Sequence, residues 1–205
     1  MPRELARAFA RMAAGLLSVL VAMFAVAPAP AQDWKAKYPE LVFAVVPAEN
    51  ASGVVERYTP LTEYLGRQLG VPVKLRIVAD YAGVIEGQRN GGIQIGYYGP
   101  AAYARAYLTG VRTEPFAVEV NADGTKSYHS VFYVRQDSPY QKIEDLRGKV
   151  LGLVDPNSTS GNSVPRFAFH KMGIVPETFF DKVIYTGSHE NAIIALKDGT
   201  VDVCA

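Results

Sequence analysis

Five- to seven-residue apolar runs alternate along this chain with segments whose apolar residues recur at helical spacing. LVFAVVP reads as a strand, followed by a helix near 58–69, the strand VKLRIV, a helix over 81–90, the strand IQIGYYG and the helix AAYARAYL. FAVEV and SVFYVR then read as two consecutive strands. The alternation resumes with KVLGLV, a helix after STSG, the strand KVIYTG, the helix HENAIIALKDG and the strand VDVCA. Continuous apolar strands separated by helices predict an α/β fold: mostly parallel sheets with helices on both faces, whose ligands collect beyond the carboxyl ends of the strands. Consecutive strands and the polar stretch RQDSPYQKIEDLRGK interrupt the pattern. They place a first lobe at 32–125, a crossing and hinge region at 126–145 and a second lobe at 146–205.

The N-terminus has a different pattern. Arg3, Arg7 and Arg11 precede AAGLLSVLVAMFAVA and then APAQ, the three-part layout of a secretory leader with cleavage expected after Ala31. The apolar run falls short of the roughly 20 residues that span a bilayer, so export is expected rather than stable membrane insertion. Composition narrows the function classes further. A chain of 205 residues with 49% hydrophobic and 20% charged residues can bury a substantial core. A net charge of +1, with no basic run after residue 12, argues against nucleic acid and for a small ligand or a protein partner. The single cysteine, Cys204, cannot form an internal disulfide, and within VDVCA it reads as a buried small residue. Three histidines and one cysteine make metal catalysis unexpected, and neither G-x-S-x-G nor H-E-x-x-H occurs.

Candidate chemistry concentrates at strand-to-helix junctions. DPNSTSG follows a strand and opens a helix, where backbone N–H groups lack intrahelical partners. Ser158, Thr159 and Ser160 add hydroxyls, and Gly161 permits close backbone approach. Two readings fit: an N-cap, which needs one hydroxyl and leaves two unused, and an anion seat, which uses all three. Pro165 removes a donor and crowds the preceding turn, so the first turn is expected to be loose or to start after Ser160. The Gly-x4-Gly-Lys spacing of a nucleotide loop is absent. At the next junction Ser188 reads as a cap, His189 as a first-turn residue facing the strand ends, Glu190 as a dipole-favoured helix start and Gly199 as the stop. The helix dipole there favours a neutral imidazole that can donate one hydrogen bond. Tyr81, Tyr97, Tyr98 and Tyr128 lie in ADYAGVIEG, GYYGP and SYHS. Each could offer a hydroxyl to an oxyanion or simply pack in the core, and core packing is the expectation for Tyr97.

ADYAGVIEG, GYYGP, SYHSVFYV before DSPYQKIEDLRGK, DPNSTSG with VP after it, and GSHENAIIALKDGTVDV together resemble the phosphonate-binding proteins of ABC transporters, over roughly 41–205. The resemblance implies the two-lobed type II periplasmic binding fold and a periplasmic receptor without catalysis or cofactor. Such a receptor closes on a phosphonate, phosphite or phosphate-like anion and presents it to a membrane permease. It also implies that Ser158, Thr159 and Ser160 bind the phosphonate oxygens, that His189 and Tyr128 complete that shell, that Tyr81 reaches in from the first lobe, and that Tyr98 is a further candidate. Chains of this family continue well beyond VDVCA, so the second lobe is expected to be incomplete here, as a fragment or a truncated product. Acidic residues that contact a ligand amine in aminoalkylphosphonate receptors belong to that later part. The alternatives are a periplasmic sensor module of a signalling receptor, which can use the same fold, and, less well supported, a phosphate-ester hydrolase.

Overall fold

The computed structural model describes residues 33–205. The expected leader, residues 1–31, lies outside the described residues. Asp33–Lys37 forms a short helix, α1, and Glu40–Ala205 makes up a separate compact unit.

That unit starts with β1 (Leu41–Val45), every residue of which is buried. Strand alternation turns Val42, Ala44 and Val46 to one face and Phe43 and Val45 to the other, so an unbroken apolar run is what burial on two faces requires. Phe43 and Val45 pack against Val54 and Tyr58 of α2 (Ala51–Leu69). This helix begins seven residues before the expected 58. Asn50 caps it by accepting from the Gly53 N–H at 2.9 Å, and Pro60 sits inside it, with the Thr59 hydroxyl donating to the Val55 carbonyl at 2.7 Å. Gly70, at φ 68°, closes the helix by donating to the Gly66 carbonyl. Two further strands, β2 (Val73–Arg76) and β3 (Ile95–Tyr97), flank β1, all parallel in the order β2-β1-β3. The crossover helices are α3 (Tyr81–Arg89) and, after β3, α4 (Pro100–Leu108).

The expected strand FAVEV does not form. Phe116, Val118 and Val120 are exposed and pair with no described strand, and an apolar alternation makes a strand only where a neighbour supplies the ladder. SVFYVR contracts to β4 (Tyr133–Val134). The second sheet adds β5 (Val150–Leu153), β6 (Lys182–Tyr185) and β7 (Val203–Cys204) in the order β4-β7-β5-β6, parallel except where β4 meets β7. Its helices are α5 (Val164–Lys171), α6 (Pro176–Phe179) and α7 (His189–Lys197). Phe169, Phe179 and Phe180 fill one side with Leu151, Leu153 and Val203. A second buried cluster runs from Val42, Ala44, Tyr81 and Val84 of the first sheet's layer into Val154, Ala192, Val201 and Cys204 of the second. The two sheets therefore share a core.

Candidate functional site

Beyond the carboxyl end of β5 the buried residues Val154 and Asp155 lead into a tight turn. The Asp155 carboxylate accepts from the Asn157 N–H at 2.7 Å, and its carbonyl accepts from the Ser158 N–H at 2.8 Å. Ser158, only 1% exposed, begins a wide helical turn over Thr159–Ser163, and its hydroxyl accepts from the Gly161 N–H at 3.1 Å. The regular helix α5 starts at Val164 with Pro165 in its first turn, where the absent N–H has no intrahelical partner to lose. The loose opening expected from Pro165 is a π-type turn. A Cβ at Gly161 would run into the Val154 side chain and lie 2.9 Å from the Ser158 hydroxyl, so the turn can lie this close to the strand only with glycine there.

The first lobe closes on this turn from the other side. The Thr159 hydroxyl accepts from the Ala101 N–H at 2.8 Å, in the first turn of α4. Gly99 caps that helix, and a Cβ there would sit 3.0 Å from the Thr159 Oγ1 and 3.7 Å from the Tyr128 hydroxyl. Both hydroxyls thus lie beside a residue without a side chain. Tyr81 opens α3 behind its cap Asp80 and is 4% exposed. Burial raises its pKa, with the Ser158 hydrogen bond pulling partly back, so its phenol stays protonated and able to donate. Ser160 is tied to the crossing segment by the Ser130 hydroxyl, which donates to its carbonyl at 2.6 Å.

His189 opens α7 behind its cap Ser188, whose hydroxyl accepts from the Asn191 N–H at 3.1 Å. Burial lowers the imidazole pKa, so it is neutral near pH 7 and keeps one N–H to donate. β6 lies beside β5, with Thr186 and Gly187 donating to the carbonyls of Leu153 and Val154, which puts His189 at the same end of the sheet as Ser158.

Ser158, Thr159, Tyr81 and Tyr128 are thus brought together, with Ser160 and His189 at the same strand ends. Tyr98 is not. Its hydroxyl donates to Gln88 at 2.7 Å, its ring packs with Ile85, Ala106 and Val111, and burial pushes its pKa up to about 12. Tyr97, expected in the core, turns to the opposite face of β3. It is 36% exposed, stands 6.0 Å from the Tyr58 ring and donates to the Glu119 carboxylate. Sequence reasoning missed the backbone partner Ala101 and the bracing behind the turn. There Asn162 donates to the Pro156 carbonyl at 2.8 Å and accepts from Arg166 at 2.9 Å and from Tyr185 at 3.0 Å, while Arg166 pairs with Glu177 at 2.6 Å. The spacing of Asn162 and Arg166, four residues apart, was the available signal.

The assembled groups are neutral donors at the N-termini of α3, α4, α7 and the Thr159–Ser163 turn, an arrangement suited to an oxyanion. Among the described residues no group of three or more His, Cys, Asp or Glu is placed to hold a metal ion, and no helix is long and apolar enough to cross a membrane.

Residues 43–205 match the family model described as the periplasmic substrate-binding protein of a phosphonate ABC transporter. The chain is 32% identical over 174 residues to a phosphate-import protein of Mycolicibacterium smegmatis, covering 80% of this chain and 54% of that protein. It is 32% identical over 167 residues to the phosphonates-binding periplasmic protein of Escherichia coli, covering 80% and 49%. In structure it is similar to a binding-protein component of a phosphonate ABC transporter from Pseudomonas aeruginosa, with a TM-score of 0.76, 31% identity and coverage of 81% and 56%. The chain spans about half the length of these relatives.

Proposed function

Since the chain belongs to the family of periplasmic substrate-binding proteins of phosphonate ABC transporters, we propose that it captures a phosphonate or related phosphorus oxyanion between its lobes and presents it to a membrane permease. The observation that carries this reading is the convergence of Ser158 and Thr159 from the second lobe with Tyr81 and the Ala101 N–H from the first lobe and Tyr128 from the crossing segment. In this reading the Thr159 hydroxyl, held by Ala101, turns its own proton to a ligand oxygen. Ser158 and Ser160 bind the oxygens with it, Tyr81 donates from the first lobe, and Tyr128 and the neutral His189 complete the shell. The charge of the ligand is met by many oriented dipoles, and closing the lobes removes water that would compete for them.

The ligand leaves unchanged: the gathered groups hold an anion, and the relatives are binding components of transporters. Export to the periplasm through the leader at residues 1–31 belongs to the same proposal. Calorimetric titration with phosphate, phosphite, methylphosphonate and 2-aminoethylphosphonate tests it. Saturable binding of at least one of them, weakened in Thr159→Val, is the expected result; no heat from any of the four overturns the reading.

A further inference from the structure

A contact across the cleft, outside the anion seat, joins the start of α2 to the start of α7. We propose that Glu190 is a positioning residue that latches the two lobes together through Asn50 and so keeps His189 in register with Tyr81; the inference rests on the two-lobed receptor reading. Asn50 divides its amide between two tasks. The Oδ1 caps its own helix, accepting from the Gly53 N–H at 2.9 Å and from the Ser52 hydroxyl at 2.6 Å. The Nδ2 donates to Glu190 Oε1 at 2.8 Å, and the Asn50 backbone N–H donates to the other carboxylate oxygen. The Glu190 backbone N–H in turn donates to the Ala48 carbonyl at 3.1 Å. Both ends of Glu190 are therefore held by one loop of the opposite lobe.

Residue chemistry explains why these two types meet here. Serine, threonine or aspartate can cap a helix as well as asparagine. Asparagine divides the tasks between two atoms, its carbonyl oxygen accepting for its own helix while its amide nitrogen reaches outward to donate to a carboxylate. The N-termini of α2 and α7 face each other with like partial charge, and a carboxylate between them is stabilised by both. His189 is the residue next to Glu190 and Tyr81 follows β2 in the first lobe, so fixing Glu190 on Ala48 and Asn50 fixes the separation that an anion must bridge.

The test measures the distance between spin labels at Tyr64→Cys on α2 and Val175→Cys before α6. Both positions are exposed, and the buried Cys204 stays unlabelled. Without ligand, the parent is expected to give one narrow distance. Asn50→Asp keeps the cap but sets two carboxylates against each other, and Glu190→Ala removes the acceptor; both are expected to shift and broaden the distribution. Asn50→Asp with Glu190→Gln exchanges donor and acceptor across the same gap and should restore the narrow distance. Single variants that match the parent, or a double variant as broad as the singles, overturn the latch. Methylphosphonate dissociation is read separately and should quicken roughly tenfold in the single variants. Failure of the parent and every variant to bind any of phosphate, phosphite, methylphosphonate or 2-aminoethylphosphonate overturns the receptor reading and leaves the distance result to decide the latch.

Discussion

Ser158 and Thr159 are adjacent hydroxyl residues with different obligations. Ser158 is buried and satisfies the Gly161 N–H, so Ser158→Ala removes a cap and should lower stability by about 1 kcal/mol along with ligand affinity. Thr159 reaches across to Ala101. Thr159→Val keeps its shape, should shift unfolding by no more than the roughly 1 kcal/mol of one hydrogen bond, and should weaken anion binding by about 1.5 to 3 kcal/mol. Denaturant unfolding beside calorimetry separates the two; equal effects of both substitutions on binding and stability would mean that Thr159 is only a cap. His189 gives a pH signature. Burial lowers its pKa from 6.5, so as pH falls the unfolded chain takes up the proton first. The stability held by the neutral imidazole is complete above about 6.5 and is lost as pH falls through the folded value. The slope of unfolding free energy below pH 6.5 should therefore flatten in His189→Asn. An unchanged slope would place the titration elsewhere.

At the scale of elements, the Thr159–Ser163 turn is the part most sensitive to one methyl group. Gly161→Ala forces a Cβ against Val154 and the Ser158 hydroxyl, and should cost about 1 to 3 kcal/mol and loosen the seat. Near-parent binding and stability in Gly161→Ala would show that the turn relaxes freely. This turn was partly legible in the sequence, because Pro165 cannot sit within a regular helix begun at Ser160, and the starts of α3 and α7 were legible, the first from apolar spacing after Tyr81 and the second from Ser188 and the apolar spacing after it. The early start of α2 was not: ASG after Asn50 carries little apolar pattern, and the cap becomes visible only when its amide is seen bonded to Gly53. FAVEV misled for the opposite reason, since its alternation is that of a strand while pairing depends on a neighbour far along the chain. Tyr97 and Tyr98 could not be told apart by composition. Which of two consecutive tyrosines faces Gln88 and which faces Glu119 is fixed by the register of a three-residue strand.

For the whole molecule, the cluster shared by the two sheets ties opening of the cleft to exposure of buried apolar surface. Cys204 belongs to that cluster, and burial raises its thiol pKa to about 11. Alkylation of the native protein at pH 8 should therefore be slow, and should accelerate in denaturant with the same midpoint as the loss of helical circular dichroism; rapid labelling without denaturant would show that the shared core opens by itself. The neutral character of the seat has a consequence of another kind. Lysine and arginine hold anions by fields that dissolved ions screen, whereas hydroxyls, an imidazole and backbone N–H groups act at contact range, well inside the Debye length of about 8 Å at physiological ionic strength. If the proposed seat binds its anion in this way, its grip is expected to hold as salinity changes, and a phosphorus oxyanion would be told from chloride by the directions of its oxygens instead of by its charge.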